Sequence, residues 1–394
     1  MQLKASRARM LPLPMILILT FSTTIYGQGC IAVRSGCGTA IGGGAIQPAG
    51  SWQLSSNFRY FHSFRHFRGT HEESERVENG TEVINNSYFS DWILSYGLSD
   101  RLSLNFTLPF VYHNRSSLYE HGGNPRVDDP TTPEDEFWAG ERHMTSAYGW
   151  GDVRLSASYW LIDPSKASHS NLSVGLGVKA PSGNYRFEDD FYNQGTSRDQ
   201  IIRGGVDQSI QPGDGGWGIS LETQGYSMIA ERWFLSGSLY YLINPQTEYE
   251  LPSRRGGTTT FSIPDQYAGR MGALYITRWT GFSTYLGVRA EGIPSSDLFG
   301  EDDGFRRPGY IISVEPGINY SIRNFSANVT VPIAVERNRV QSYSDKQISK
   351  ETGVFRQGDA AFADYLLNVG VSWRFGKSQS VIDWQQEHTE LNIN

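Results

Sequence analysis

The sequence predicts an all-β protein, a transmembrane outer-membrane antiparallel β-barrel of about twelve strands in up-and-down order. Three observations carry that expectation. Apolar and polar residues alternate with a period of two from about Trp52 onward. The stretches between the alternating runs are long, short, long, short without exception. The last run ends on an aromatic residue, Phe375.

A strand points successive side chains to opposite faces, so alternation separates an apolar face from a polar one. In the last run Tyr365, Leu367, Val369, Val371, Trp373 and Phe375 share one face, and Leu366, Asn368, Gly370, Ser372 and Arg374 the other. The first run places Trp52, Leu54, Phe58 and Tyr60 together, and the second Tyr88, Trp92, Leu94 and Tyr96. Leu102 to Tyr112 form the third, Val153 to Leu161 the fourth and Leu172 to Ala180 the fifth. Trp217 to Leu221 mark the sixth, Trp233 to Ile243 the seventh, and Tyr267 to Tyr275 a weaker eighth. Phe282 to Ala290, Tyr310 to Tyr320 and Phe325 to Val335 complete the set before the run ending at Phe375. Runs of about ten residues match a tilted strand that crosses a bilayer.

The long connections lie at about 68–86, 113–147, 181–216, 244–265, 292–309 and 337–361. The short ones fall near 97–101, 162–171, 227–232, 277–281 and 321–324. Loops beyond about 12–15 residues are uncommon in compact soluble domains. Short periplasmic turns and long outer loops are the pattern of bacterial barrels. A secreted β-sandwich would also alternate, but it does not account for the strict order of loop lengths. An even strand count brings both ends of the barrel, 51–375, to the periplasmic side. Phe375 then stands where the barrel-assembly machinery is expected to read a terminal aromatic.

Composition excludes other classes. Aromatic residues reach 13% and charged residues only 19%, the opposite of a disordered chain. Mean hydropathy is −0.42, too low for a bundle of membrane helices. The net charge of −7 speaks against nucleic acid as a partner. The expected partners are outer-membrane lipid, lipopolysaccharide and a small-molecule solute.

Ahead of the barrel, Lys4, Arg7 and Arg9 precede an apolar run from Met10 to Phe21. Residues 1–27 read as a secretory signal peptide, cleaved near Gly27–Gln28. Residues 28–50 read as a Gly-rich periplasmic lead-in. Its Cys30 and Cys37 are candidates for a small disulfide loop, with lipidation of Cys30 as the rival. Residues 376–394 read as a periplasmic tail.

Strand phase gives the candidate lumen-lining residues. Arg59, Arg154, Lys179, Arg270, Arg289 and Arg374 are the inward cations; Asp91, Asp152, Glu222, Glu291, Glu315 and Asp364 are the inward anions. A balanced interior suits a constriction that orients small polar solutes, or a self-neutralising network that closes the lumen. Ser173, Gly175, Gly177, Gly287 and Gly370 leave room and favour a narrow pore. The six long loops carry net charges of −3, −4, −3, −1, −2 and +2, or −11 together.

Several stretches resemble a known family: Gly149-Trp-Gly-Asp-Val-Arg-Leu155 leading to Tyr159-Trp160-Leu161, Val174 to Gly183 with its Pro-Ser-Gly end, Leu108-Pro-Phe-Val-Tyr112, Val314-Glu-Pro-Gly317 and Val331-Pro332. Together they resemble the outer-membrane transporters grouped as the MetA-pathway phenol-degradation family. The resemblance implies a barrel in the outer membrane of a Gram-negative bacterium and a transport role, without naming the solute.

The functional expectation is a narrow channel that passes small solutes by passive diffusion, with no enzymatic activity and no cofactor or metal. A closed structural or surface-binding barrel is the alternative. A rim hydrolase is a third reading, because His113-Asn114-Arg115-Ser116-Ser117 offers the residue types of an activated serine. Nothing in that polar loop fixes them within reach of each other.

Overall fold

The computed structural model describes residues 46–123, 141–167, 169–246, 248–252, 258–300, 302 and 304–376. The expected signal peptide, Cys30, Cys37 and residues 377–394 lie outside these residues. Twelve antiparallel strands form one closed barrel: β1 (Ser51–Arg68), β2 (Ile84–Gly97), β3 (Leu102–Ser117), β4 (His143–Trp150 with Arg154–Trp160), β5 (Ser170–Lys179), β6 (Gly218–Ala230), β7 (Trp233–Ile243), β8 (Gln266–Ile276), β9 (Phe282–Ile293), β10 (Gly309–Ile322), β11 (Phe325–Thr330 with Ile333–Asn338) and β12 (Ala360–Gly376). Each strand pairs with its neighbours in sequence. The barrel closes where β12 meets β1, with Ser51 opposite Gly376 and Phe61 opposite Leu366.

The wall separates two environments, and exposure follows the sequence period. Leu176, Leu239, Met271 and Leu286 point outward and are about 60% exposed, whereas the residues between them are covered. At the short-turn end, cross-strand aromatic pairs stand on the outer face. Trp52 and Tyr96, Trp233 and Tyr275, and Phe282 and Tyr320 have ring centroids 4.5, 4.8 and 4.7 Å apart. Such a girdle marks the border between hydrocarbon and headgroups. Among the described residues no helix is long and apolar enough to cross a membrane.

Two strands are broken. β4 leaves the ladder at Gly151–Val153 and β11 at Val331–Pro332. Proline has no N–H to give to a ladder. The Val331 amide still donates to the Pro316 carbonyl at 3.0 Å, and Leu366 donates to the Pro332 carbonyl at 2.9 Å. The β1–β12 seam carries two compensating register shifts, on either side of Ser63.

The long loops (L1 to L6 in chain order) hold structure that the alternation does not predict. L3 and L4 each carry a hairpin, Glu188–Gln194 with Gln200–Gly205 and Glu248–Pro252 with Thr258–Ser262. L6 carries a ten-residue helix, α2 (Tyr343–Thr352). α1 (Glu75–Glu78), a single turn, sits in L1. The Ser342 hydroxyl accepts from the Asp345 amide, and the Asp345 carboxylate accepts from the Ser342 amide. This reciprocal cap starts α2.

Candidate functional site

The lumen is layered along the barrel axis. Towards the short turns its wall is small and polar: Ser95, Ser103, Ser158, Ser173, Asn171 and Asn319 are all buried and face inward. Midway lies a belt of charge. Towards the long loops the wall turns apolar, with Phe61, Phe89, Val111 and Leu366 in one cluster.

The belt holds most of the residues singled out from strand phase. Arg289 donates to Glu291 at 2.7 Å, Arg270 lies 3.7 Å from Glu315, and Arg154 lies 3.8 Å from Asp91. Glu222 accepts from Ser220 at 3.0 Å, and Arg59 donates to Asn368 at 3.2 Å. The Glu315 carboxylate is fully buried, and neither of its oxygens has a hydrogen bond within the chain. Its compensating charge is Arg270, 3.7 Å away, so the belt is a set of buried, mutually neutralising charges.

Asp152 and Lys179 do something else. They anchor the base of L3. Asp152 accepts from the amides of Gly183 and Asp214, both at 2.9 Å, and Lys179 pairs with the Asp214 carboxylate. Arg374 sits at the opposite end and donates to the Ile46 carbonyl at 3.0 Å, holding residues 46–48 at the short-turn mouth. Asp364 departs from the lumen row. Its side chain is 40% exposed and is bound by Arg65 and Arg337, each at 2.6 Å. The register shifts between β1 and β12 turn this part of the seam away from the phase set lower down.

Above the belt, L3 folds into the barrel mouth. Val206, Ile210 and Gln211 are fully buried, and Val206 and Ile210 pack on Ala147 of β4. Asp207 pins this segment. Its carboxylate accepts two bonds of 2.7 Å from Arg307 of L5, lies 3.5 Å from Arg115 of β3, and caps the turn at Gln208–Ile210 through the Ser209 amide. Gln208 also donates to the Ser262 carbonyl of L4. Beneath the segment, Asp152, Arg154, Lys179 and Pro212 line a small pocket of about 20 Å³, room for about one water. Among the described residues, the L3 segment 206–211 is thus packed inside the long-loop end of the barrel, against β4.

Shape comparison places this architecture. The crystal structure of an outer-membrane channel from Pseudomonas putida F1 matches 85% of this chain and 100% of that chain, with a TM-score of 0.50 and 13% identity. The chain has the fold of an outer-membrane β-barrel. A Pseudomonas aeruginosa FadL homologue matches 89% of this barrel chain and 99% of its own (TM-score 0.43, 11% identity). The toluene transporter TodX of P. putida matches 84% and 91% (0.38, 12%). The last two resemble it too loosely to bear on its function. No family model and no curated protein matches the sequence.

Sequence reasoning missed the residues that fasten the long loops. Asp207, Arg307, Arg306 and Asp297 lie in loops, where no period marks them. Arg306 is completely buried and donates to both oxygens of Asp297, at 2.9 and 2.7 Å. His66 is also a fastener: it lies 2.6 Å from Asp359 of L6, and its other ring nitrogen accepts from the Val83 amide at 2.8 Å. The candidate hydrolase residues do not assemble. His113 faces inward and packs edge-on to Phe89, while Ser116 is the next residue but two along the same strand. Two residues three apart on a strand point to opposite faces.

Acid should discriminate between the two loop carboxylates. Burial pushes the Asp297 carboxyl up to about 6, against the pull of Arg306. Burial acts on Asp207 in the same sense, but Arg115 and Arg307 override it and hold Asp207 well below the ordinary 3.8. A raised acid costs stability above its native pKa, and that cost is relieved as pH falls through about 6. A lowered acid stabilises above its ordinary pKa, and the gain is lost only as pH falls through its depressed native value. Amide exchange at Val206 to Gln211 should therefore stay slow from pH 7 to pH 5. Rapid exchange there at pH 5 would contradict this assignment.

Proposed function

We propose that the protein is a gated channel for small, uncharged solutes, with the L3 segment 206–216 as its removable plug. One observation carries the reading: a loop segment held by a few ion pairs is packed into the barrel mouth above a Ser- and Gly-lined interior. The wall need not move for a solute to pass. Belt charges that neutralise one another in pairs leave little net field to select an ion, and the apolar layer under L3 favours solutes without charge. In this reading the solute passes by passive diffusion. The test is solute-driven swelling of proteoliposomes with neutral solutes of increasing size. No swelling with any solute, in the native chain and in plug variants alike, would leave a closed structural barrel as the better reading.

The reading also fixes an orientation, with long loops outside and short turns in the periplasm. An epitope inserted after Asn79, in the exposed turn of L1, should be labelled on intact cells, because polar loop tips tolerate insertion. One inserted after Ser99 should be labelled only after the outer membrane is opened. Surface labelling at Ser99 would reverse the topology.

The acidic outer loops predict a salt effect. Their net −11 should concentrate cations at the mouth of an unplugged channel when salt is low. At physiological ionic strength such a field reaches only about 8 Å. Reversal potentials should then show a cation preference in dilute salt that shrinks in concentrated salt. A preference that does not depend on salt would place selectivity in the belt.

A further inference from the structure

The outer wall carries a feature that the channel reading does not use. On the lipid side, β7 to β11 enclose a shallow apolar groove of about 590 Å³, walled by Trp233, Leu286, Ile318 and Val331 over a floor of Ala273 and Pro316. Leu286 and Ile318 are more than half exposed. The groove follows a row of outward residues across the strands: Trp233 pairs with Tyr275, Tyr275 with Thr284, Thr284 with Ile318, and Ile318 with Val329. Strands in such barrels tilt by about 35–45°, so a row across them climbs the wall. Its low end is Trp233, the first residue of β7, at the short-turn rim. Its high end is Val331, at the break in β11.

The low end is cationic. Arg232 immediately precedes Trp233, and its carbonyl accepts from the Ile276 amide at 2.8 Å, which brings the β6–β7 turn against the end of β8. The β8–β9 turn then presents Arg278, exposed, and Trp279, 75% exposed. Among the described residues, the one acid paired with either arginine is Glu231, 3.8 Å from Arg232 and itself 80% exposed. An apolar groove in the hydrocarbon thus runs up from two arginines at headgroup level.

We propose that this surface binds one glycerophospholipid of the periplasmic leaflet, with an acyl chain in the groove and the phosphate at Arg232 and Arg278. Lipid tails are as apolar as the wall, so apolar contact alone would select no particular molecule. The concave floor at Ala273 and Pro316 supplies the fit to a chain, and the arginines supply the preference for phosphate. The proposal requires the barrel and its orientation, but not that the lumen conducts.

The test uses purified, folded protein in dodecyl maltoside micelles, titrated with phosphatidylglycerol brominated on its chains, with tryptophan fluorescence as the readout. Quenching should saturate, and Trp233→Phe should remove the saturating part. The Arg232→Gln/Arg278→Gln double variant, altered only in the short turns, should shift the midpoint by roughly 25-fold, about fivefold for each cation at a lipid surface. Ala273→Trp should fill the groove and abolish saturation. Three outcomes overturn the proposal. Quenching could rise in simple proportion to lipid in every variant, as for an unspecific annulus. Brominated diacylglycerol could saturate at the same concentration as the phosphatidylglycerol. Cross-linking through Ala273→Cys could trap a dimer that excludes lipid, in which case a second copy covers the groove.

Discussion

Replacing Asp207 with Asn is expected to unlatch L3 and to raise single-channel conductance several-fold. The carboxylate is the meeting point of Arg307, Arg115 and the Ser209 amide, and it is buried. Removing one partner of a buried ion pair costs about 3–5 kcal/mol, because the other charge is left uncompensated. Here that cost falls on the docked loop, since release returns Arg307 to water. A cap held by such a pair would go from closed nearly always to open for a large share of the time. Adding Arg307→Gln to the variant should restore part of the closed population, because the stranded cation is gone. The checks are planar-bilayer recording and proteolysis between Asp199 and Val206. A variant that stays shut and protected would show that the apolar contacts of Val206 and Ile210 hold the plug unaided.

The second large effect is expected on the barrel wall. Leu239 of β7 points into hydrocarbon and is 62% exposed, while its neighbour Ser238 faces the lumen. Leu239→Arg should destabilise the folded barrel by about 2–4 kcal/mol if it lies near the bilayer midplane. Ser238→Glu should cost far less, because the new carboxylate lies opposite Arg270 on the inner face. The heat-modifiable shift of the folded form on gels, measured after refolding into vesicles, compares the two. Equal losses would mean that the strand does not separate lipid from water.

The contrast between those two residues also explains what could be read from the sequence. A barrel wall has lipid on one side and water on the other, so every residue of a strand declares its side. All twelve strands were legible from that alone. Which cation meets which anion was not legible, because it depends on the stagger between strands and not on phase. Asp364 shows the limit on a single strand: two register shifts near Ser63 are invisible in a pattern with period two. The breaks had a partial signal, as Val331-Pro332 and Gly151-Asp152 are poor strand formers. α2 had one as well, in the Ser-x-x-Asp spacing at Ser342 and Asp345. The plug had none. Asp207 and Arg307 are one hundred residues apart in two polar loops, and only the folded loops bring them together.

The seam between β1 and β12 has a consequence for how the molecule is made. It pairs Ser51 with Gly376, the most distant partners in the barrel, while every other wall contact joins neighbours along the chain. During assembly β1 must wait, with one edge bare, until the final strand has been delivered. A bare edge is a template for pairing with another chain, and contacts between distant residues form late because loop closure must be paid first. A chain that stops before β12 would leave two such edges and no lumen. Maturation of this protein should therefore be all or none, and its period of greatest risk is the interval in which eleven strands have formed and the twelfth has not.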